Sequence, residues 1–388
     1  MKGFARRAAI VAASVVVALV VVEVALRLFL GARYAALYRV NDVWLWEHVP
    51  GVHRVNDSPD GKSVAFDVNA DGFRGAELRP PGAGRRVVVY GDSFVAAKAT
   101  PLDETFVARL GTRLGADVEA LNAGVVGYGV DQVCLRMDAE LARLRPDLVV
   151  VVVTAENDYG DNVRNRLFEI DAQGVVRRYA PVIPQGMRDA YAAAQSGLLI
   201  PKVVRGAADR VRERLHGTTS QPTYGVEEEL AQCADDHGRA VIDRGDAVIV
   251  GVDHPDADVR VAPASETARY KVALMGGVLA AVRDVARTRG VPLLVVVVPS
   301  AADVCRHYDR DAVDRSAYPD YRPDNLTRPI DRIASSLDVA YVDLFPAFAA
   351  ADADALYFKG GDTHWNSAGQ VLAADLVAPA VAARMRGR

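Results

Sequence analysis

The chain has 388 residues, enough for a large core with insertions or for two units. Hydrophobic residues make up 51% and charged residues 25%, the ordinary balance of a globular α/β protein. The formal net charge is −4, the charges are dispersed and no long basic run occurs, which argues against nucleic acid as a partner.

At the N-terminus, Lys2, Arg6 and Arg7 precede an apolar run from Ala8 to Val22. Glu23 interrupts the run, and residues 24–30 continue it with a single Arg27. A helix needs about 20 such residues to cross a bilayer, and the basic flank keeps the N-terminus cytoplasmic. Residues 1–31 are therefore expected to form an uncleaved membrane anchor. A cleaved signal peptide is the rival reading, but the apolar region is long for one and no small-residue cleavage site follows closely. Glu23 and Arg27 are four apart and can pair on one helix face near the outer end of the span.

Residues 32–84 read as an irregular linker and extension. They contain Trp44, Trp46, Pro50, the turn-rich run Asn69-Ala70-Asp71-Gly72-Phe73-Arg74-Gly75, and a Pro80-Pro81-Gly82 loop. A regular pattern begins at Arg85. Val87-Val88-Val89-Tyr90 is a buried-strand run. Residues 103–114 have helical spacing, 117–122 form a second strand, and 130–144 form a helix that ends before Pro146. Residues 148–153 are all apolar and predict a central third strand. Residues 160–265 lose the pattern and read as an insertion or cap. A helix over 266–289, a strand over 291–298 closed by Pro299, a helix over 326–337, a strand over 339–342 and a helix from about 367 to 382 complete the chain. This alternation predicts an α/β domain over 85–388 with a mainly parallel five-stranded sheet.

Cys134, Cys233 and Cys305 form no Cys-x-x-Cys pair, so neither a zinc nor a redox motif is indicated. They read as small buried hydrophobes. A Cys233–Cys305 bridge stays open if this part of the chain is exported.

Four short segments carry polar groups suited to chemistry. Gly91-Asp92-Ser93 lies between a strand and a helix, where a serine hydroxyl faces the cleft and helix N–H groups favour negative charge. Taken alone, the tripeptide reads more simply as a helix cap formed by Asp92 or Ser93. Asn122 to Gly129 is a glycine-rich loop in which the Gly127 N–H can serve as an oxyanion donor, or in which glycine merely permits a turn. Asn157, in Glu156-Asn157-Asp158, offers a side-chain N–H donor. His364 lies in Gly360-Gly361-Asp362-Thr363-His364-Trp365, with Asp362 two residues away to orient the ring. The other histidines lack such a setting. His254, in Asp253-His254-Pro255, has no second ligand cluster to suggest a metal.

In this order, the four segments resemble the SGNH, or GDSL-type, hydrolase superfamily: serine in Gly-Asp-Ser, then a glycine, then asparagine in Asn-Asp, then histidine after aspartate. The resemblance covers roughly residues 85–160 and 290–388. Asn69 to Gly75 and Pro146-Asp147-Leu148-Val149 also resemble membrane-anchored members. It implies a flavodoxin-like three-layer α/β/α sandwich, with Ser93 as nucleophile, His364 as base and Asp362 as orienting acid. The oxyanion would be held by Ser93, Gly127 and Asn157, with no cofactor and no metal. Many members place the acid three residues before the histidine, where this chain has Gly361. The Asp-x-His-Trp form resembles the branch containing alginate-type polysaccharide O-acetyltransferases. The expected reaction is thus cleavage of acyl or acetyl esters, an acetylated glycan among the possible substrates, outside the cytoplasmic membrane. The alternative is O-acetyl transfer to a cell-surface or secreted glycan. An inactive binding module is disfavoured because all four polar positions are kept.

Overall fold

The computed structural model describes residues 2–80, 82–216, 225–242, 255–306, 313–359 and 362–386. Pro81, His254, His307, Gly360 and Gly361 lie outside the described residues. The chain opens on α1 (Lys2–Tyr34), the single helix among the described residues long and apolar enough to cross a membrane. Glu23 and Arg27 pair across one turn at 2.7 Å, as their spacing predicts.

The extension after α1 is not irregular. β1 (Tyr38–Asn41) pairs with β2 (Leu45–His48), and β3 (His53–Asp57) pairs with β4 (Ser63–Asp67), both as antiparallel hairpins. In β4 the side chains alternate strictly: Val64 and Phe66 are buried while Ser63, Ala65 and Asp67 face solvent. Strands of four or five residues offer too few alternations to stand out among the surrounding turn residues.

The core follows in alternating order. β5 (Arg85–Tyr90) leads into the one-turn helix α2 (Ser93–Ala96), then α3 (Phe106–Leu114), β6 (Val118–Asn122), α4 (Val130–Leu144), β7 (Leu148–Thr154) and α5 (Asp158–Asn165). The expected insertion begins with the hairpin β8 (Phe168–Ile170) and β9 (Val176–Arg178). It continues through α6 (Gln185–Ser196), α7 (Leu199–His216), α8 (Val226–His237) and α9 (Ala257–Val261). The core resumes with α10 (Glu266–Thr288), β10 (Leu293–Val298), α11 (Ala301–Val304), α12 (Thr327–Ser336), β11 (Ala340–Asp343), α13 (Phe345–Ala350) and α14 (Ser367–Arg386).

The main sheet has five parallel strands in the order β11-β10-β7-β5-β6. β7 is central and buried along its whole length. The period-2 geometry of a strand divides its side chains between two cores. Val88, Tyr90, Val149, Val151, Val295 and Val297 pack toward α4 and α10. Val87, Val89, Val150, Val152, Leu294 and Val296 face α3 and α14. The arrangement is the expected three-layer sandwich. Strand order reverses beside β5, with β6 on one side and β7 on the other, and ligands of open α/β sheets bind at the carboxyl ends of strands at such a point.

Cys233 and Cys305 form no bridge. Cys134, Cys233 and Cys305 are all unpaired and buried, and burial pushes each thiol up to about 12.

Candidate functional site

β5 ends at Tyr90, and the chain turns sharply through Gly91 and Asp92 into α2. Two glycines make the turn possible. A Cβ on Gly91 would lie 2.6 Å from Val95 Cγ2, and one on Gly124 would lie 2.3 Å from the Ala96 nitrogen. Asp92 caps the helix by accepting from Phe94 N–H at 3.0 Å. The cap reading and the functional reading of Gly91-Asp92-Ser93 are thus compatible, because Asp92 caps while Ser93 faces the histidine.

Ser93 Oγ lies 2.8 Å from His364 Nε2, and His364 Nδ1 lies 2.8 Å from Asp362 Oδ1. With the proton on Nδ1, the ring donates to Asp362 and accepts from the Ser93 hydroxyl. The same Asp362 oxygen accepts from the His364 backbone N–H at 2.9 Å. That turn, from an aspartate to the residue two ahead, explains how an acid two residues before the histidine still reaches the ring. Ser93 is buried, whereas the His364 and Asp362 side chains are 34% and 33% exposed, so the hydrogen-bonded chain opens to solvent on one side.

Trp365 fixes this loop to the core. It is fully buried and packs against Phe94 (5.0 Å between ring centroids) and Phe348 (5.3 Å). Phe94 also lies 5.0 Å from the His364 ring. Asn366 accepts from the Ala368 and Gly369 N–H groups as α14 begins, and Gln370 accepts from Phe106 N–H, tying α14 to α3.

Loss of water around the His364 ring opposes its protonation, but the bond to Asp362 and the charges of Asp362 and Asp92 outweigh it and raise the imidazole above its ordinary value. Burial works the other way on Asp362, and the contact with His364 overcomes it, so this carboxyl sits below the usual range.

Gly127 and Asn157 come from loops after β6 and β7, the two strands that flank β5. Gly127 has φ +77°, in a turn closed by Tyr128 N–H donating to Val125 C=O. The Trp46 indole donates to Val126 C=O and covers the turn from the extension. Asn157 is buried at the N-terminus of α5. A small cleft lined by Glu156, Glu229, Arg260, Ser300 and Thr363 adjoins the histidine loop, so the insertion contributes to its walls.

Motif spacing assigns no role to Trp365, Phe94 or Arg74. The indole beside the histidine is a visible signal for the first. Arg74 is visible only as part of a turn-rich motif.

Residues 261–388 match a family model described as SGNH hydrolase-like domain, acetyltransferase AlgX. The match includes Asp362 and His364 and leaves Ser93 outside it. None of the curated proteins matches the chain. Solved structures similar to it include one of TesA, at 14% identity, covering 77% of this chain and 99% of that one with a TM-score of 0.38. Another is an acetyl xylan esterase, AlAXEase, at 14% identity, covering 76% and 99% with a TM-score of 0.37. A third is a lipase/acylhydrolase from Enterococcus faecalis, at 12% identity, covering 77% and 96% with a TM-score of 0.36. The parallel sheet makes the chain an α/β/α sandwich, and its residues 261–388 are similar to an SGNH hydrolase-like domain.

Proposed function

We propose that the protein is a serine-dependent acyl-ester enzyme held at the outer face of the cytoplasmic membrane. The observation that carries this reading is the hydrogen-bonded chain Ser93–His364–Asp362, with both contacts at 2.8 Å. Ser93 Oγ attacks an ester carbonyl while His364 Nε2 takes its proton, and His364 then protonates the leaving alcohol. Asp362 holds the ring tautomer. The Ser93 and Gly127 N–H groups and the Asn157 side chain stabilise the oxyanion. Water attacking the acyl-enzyme completes ester hydrolysis.

The match of residues 261–388 to an acetyltransferase family favours a second reading, in which a glycan hydroxyl attacks the acyl-enzyme instead of water. Retention of α1 as an anchor is supported by its last turns, which bond to the rest of the chain. Glu23 accepts from the Leu199 and Ile200 N–H groups, and Arg33 donates to Asp57 and Ser63.

The test uses the full chain in detergent with p-nitrophenyl acetate, with and without glycan oligosaccharides. Wild type should release p-nitrophenol, and Ser93→Ala should lose at least about 10³-fold in turnover. Equal turnover in the two proteins would sink the assignment. Acetyl appearing on the sugar supports transfer, and acetate alone supports hydrolysis.

A further inference from the structure

We propose that Arg74, in the extension preceding the α/β core, is a positioning residue for the Ser93 turn, an inference that rests on the reading of Ser93 as nucleophile. α2 has a single turn, so its last carbonyls have no partners within the helix. Two side chains from elsewhere supply donors. Asn122, at the end of β6, donates to Val95 C=O at 2.8 Å. The Arg74 guanidinium donates to Ala96 C=O, Ala97 C=O and Thr100 C=O, each at 2.7 Å.

The turn needs this support. Ala97 lies in the left-handed region at φ +48°, a conformation that a residue other than glycine adopts at a cost. A cation at a helix C-terminus also complements the helix dipole. Arg74 is itself fixed: it is 3% exposed, its backbone N–H donates to Asn122 C=O at 3.0 Å, and its guanidinium lies 4.7 Å from the Phe66 ring centroid. The extension therefore forms part of the scaffold that aims the serine. A planar guanidinium meets three carbonyls at once, a geometry that a lysine ammonium does not reproduce.

The experiment measures the rate of Ser93 modification by a fluorophosphonate probe in the full-length wild type, Arg74→Lys and Arg74→Gln, with folded fraction and amide exchange over residues 93–100 recorded in parallel. We expect modification of the folded Arg74→Lys protein to slow by about 10- to 100-fold, the scale set by small misplacements of reacting groups. Exchange over residues 93–100 should quicken, while the pH midpoint set by His364 stays unchanged. A wild-type rate in Arg74→Lys, or slowing only in proportion to unfolded protein, would overturn the proposal. If Arg74→Gln fails to fold, Arg74→Lys with its exchange measurement decides. Equal labelling of wild type and Ser93→Ala would instead refute the nucleophile reading, and this inference with it.

Discussion

Ser93 and His364 are separated by 271 positions in the chain, yet their side chains lie within 2.8 Å. In the proposed role of base His364 must be neutral, and, against the effect of burial, its imidazole is raised above its ordinary value by the bond to Asp362. Activity should therefore rise with pH through a midpoint above about 6.5. Asp362→Asn removes the carboxylate that stabilises the imidazolium, so that midpoint should move down while the maximal rate falls by about 10²–10⁴-fold. A kcat/KM profile against pH checks both, and an unmoved midpoint would separate Asp362 from the ring's titration. Asn157→Ala should reduce kcat by about 10²–10³-fold if its side chain holds the oxyanion, and single-turnover kinetics with the same ester read that change. The polar residues were legible because chemistry restricts the residue types that can perform it. Arg74 and Trp365 were less so, because their contribution depends on contacts made across the fold.

At the scale of elements, the five core strands and the longer helices α3, α4, α10, α12 and α14 were legible from apolar runs and 3.6-residue spacing, whereas the short α5, α11 and α13 were not. The extension was not, because its hairpins are short and rich in polar residues. The helices of the insertion were also missed, since much of their surface is exposed and their apolar pattern is weak. The contact between the β6–α4 loop and α2 leads to a direct test. A Cβ at position 124 would fall 2.3 Å from the Ala96 nitrogen, so Gly124→Ala must displace the backbone that carries Ser93. We expect a loss of stability on the order of 2–4 kcal/mol, read by denaturant unfolding, together with loss of esterase activity. An active, fully stable variant would show that the turn has room.

For the whole molecule, the meeting of the apolar helix with the insertion is the feature that the linear pattern could not reveal. Glu23 reads in sequence as a charge interrupting a span, whereas in the fold it accepts from the first N–H groups of α7. Glu23→Ala removes this cap and leaves the start of α7 without its acceptor. The expected outcome is faster limited proteolysis near residues 197–216 with little change in Ser93 reactivity, and unchanged proteolysis would argue against the contact. The proposed function rests on Ser93, so the reactivity of that one side chain is the most direct measurement. The full chain is treated with a fluorophosphonate and the adduct mapped by peptide mass spectrometry. We expect one adduct on Ser93, absent in Ser93→Ala and slow to form in His364→Ala; an adduct on another residue, or none in a protein that cleaves esters, would contradict the assignment.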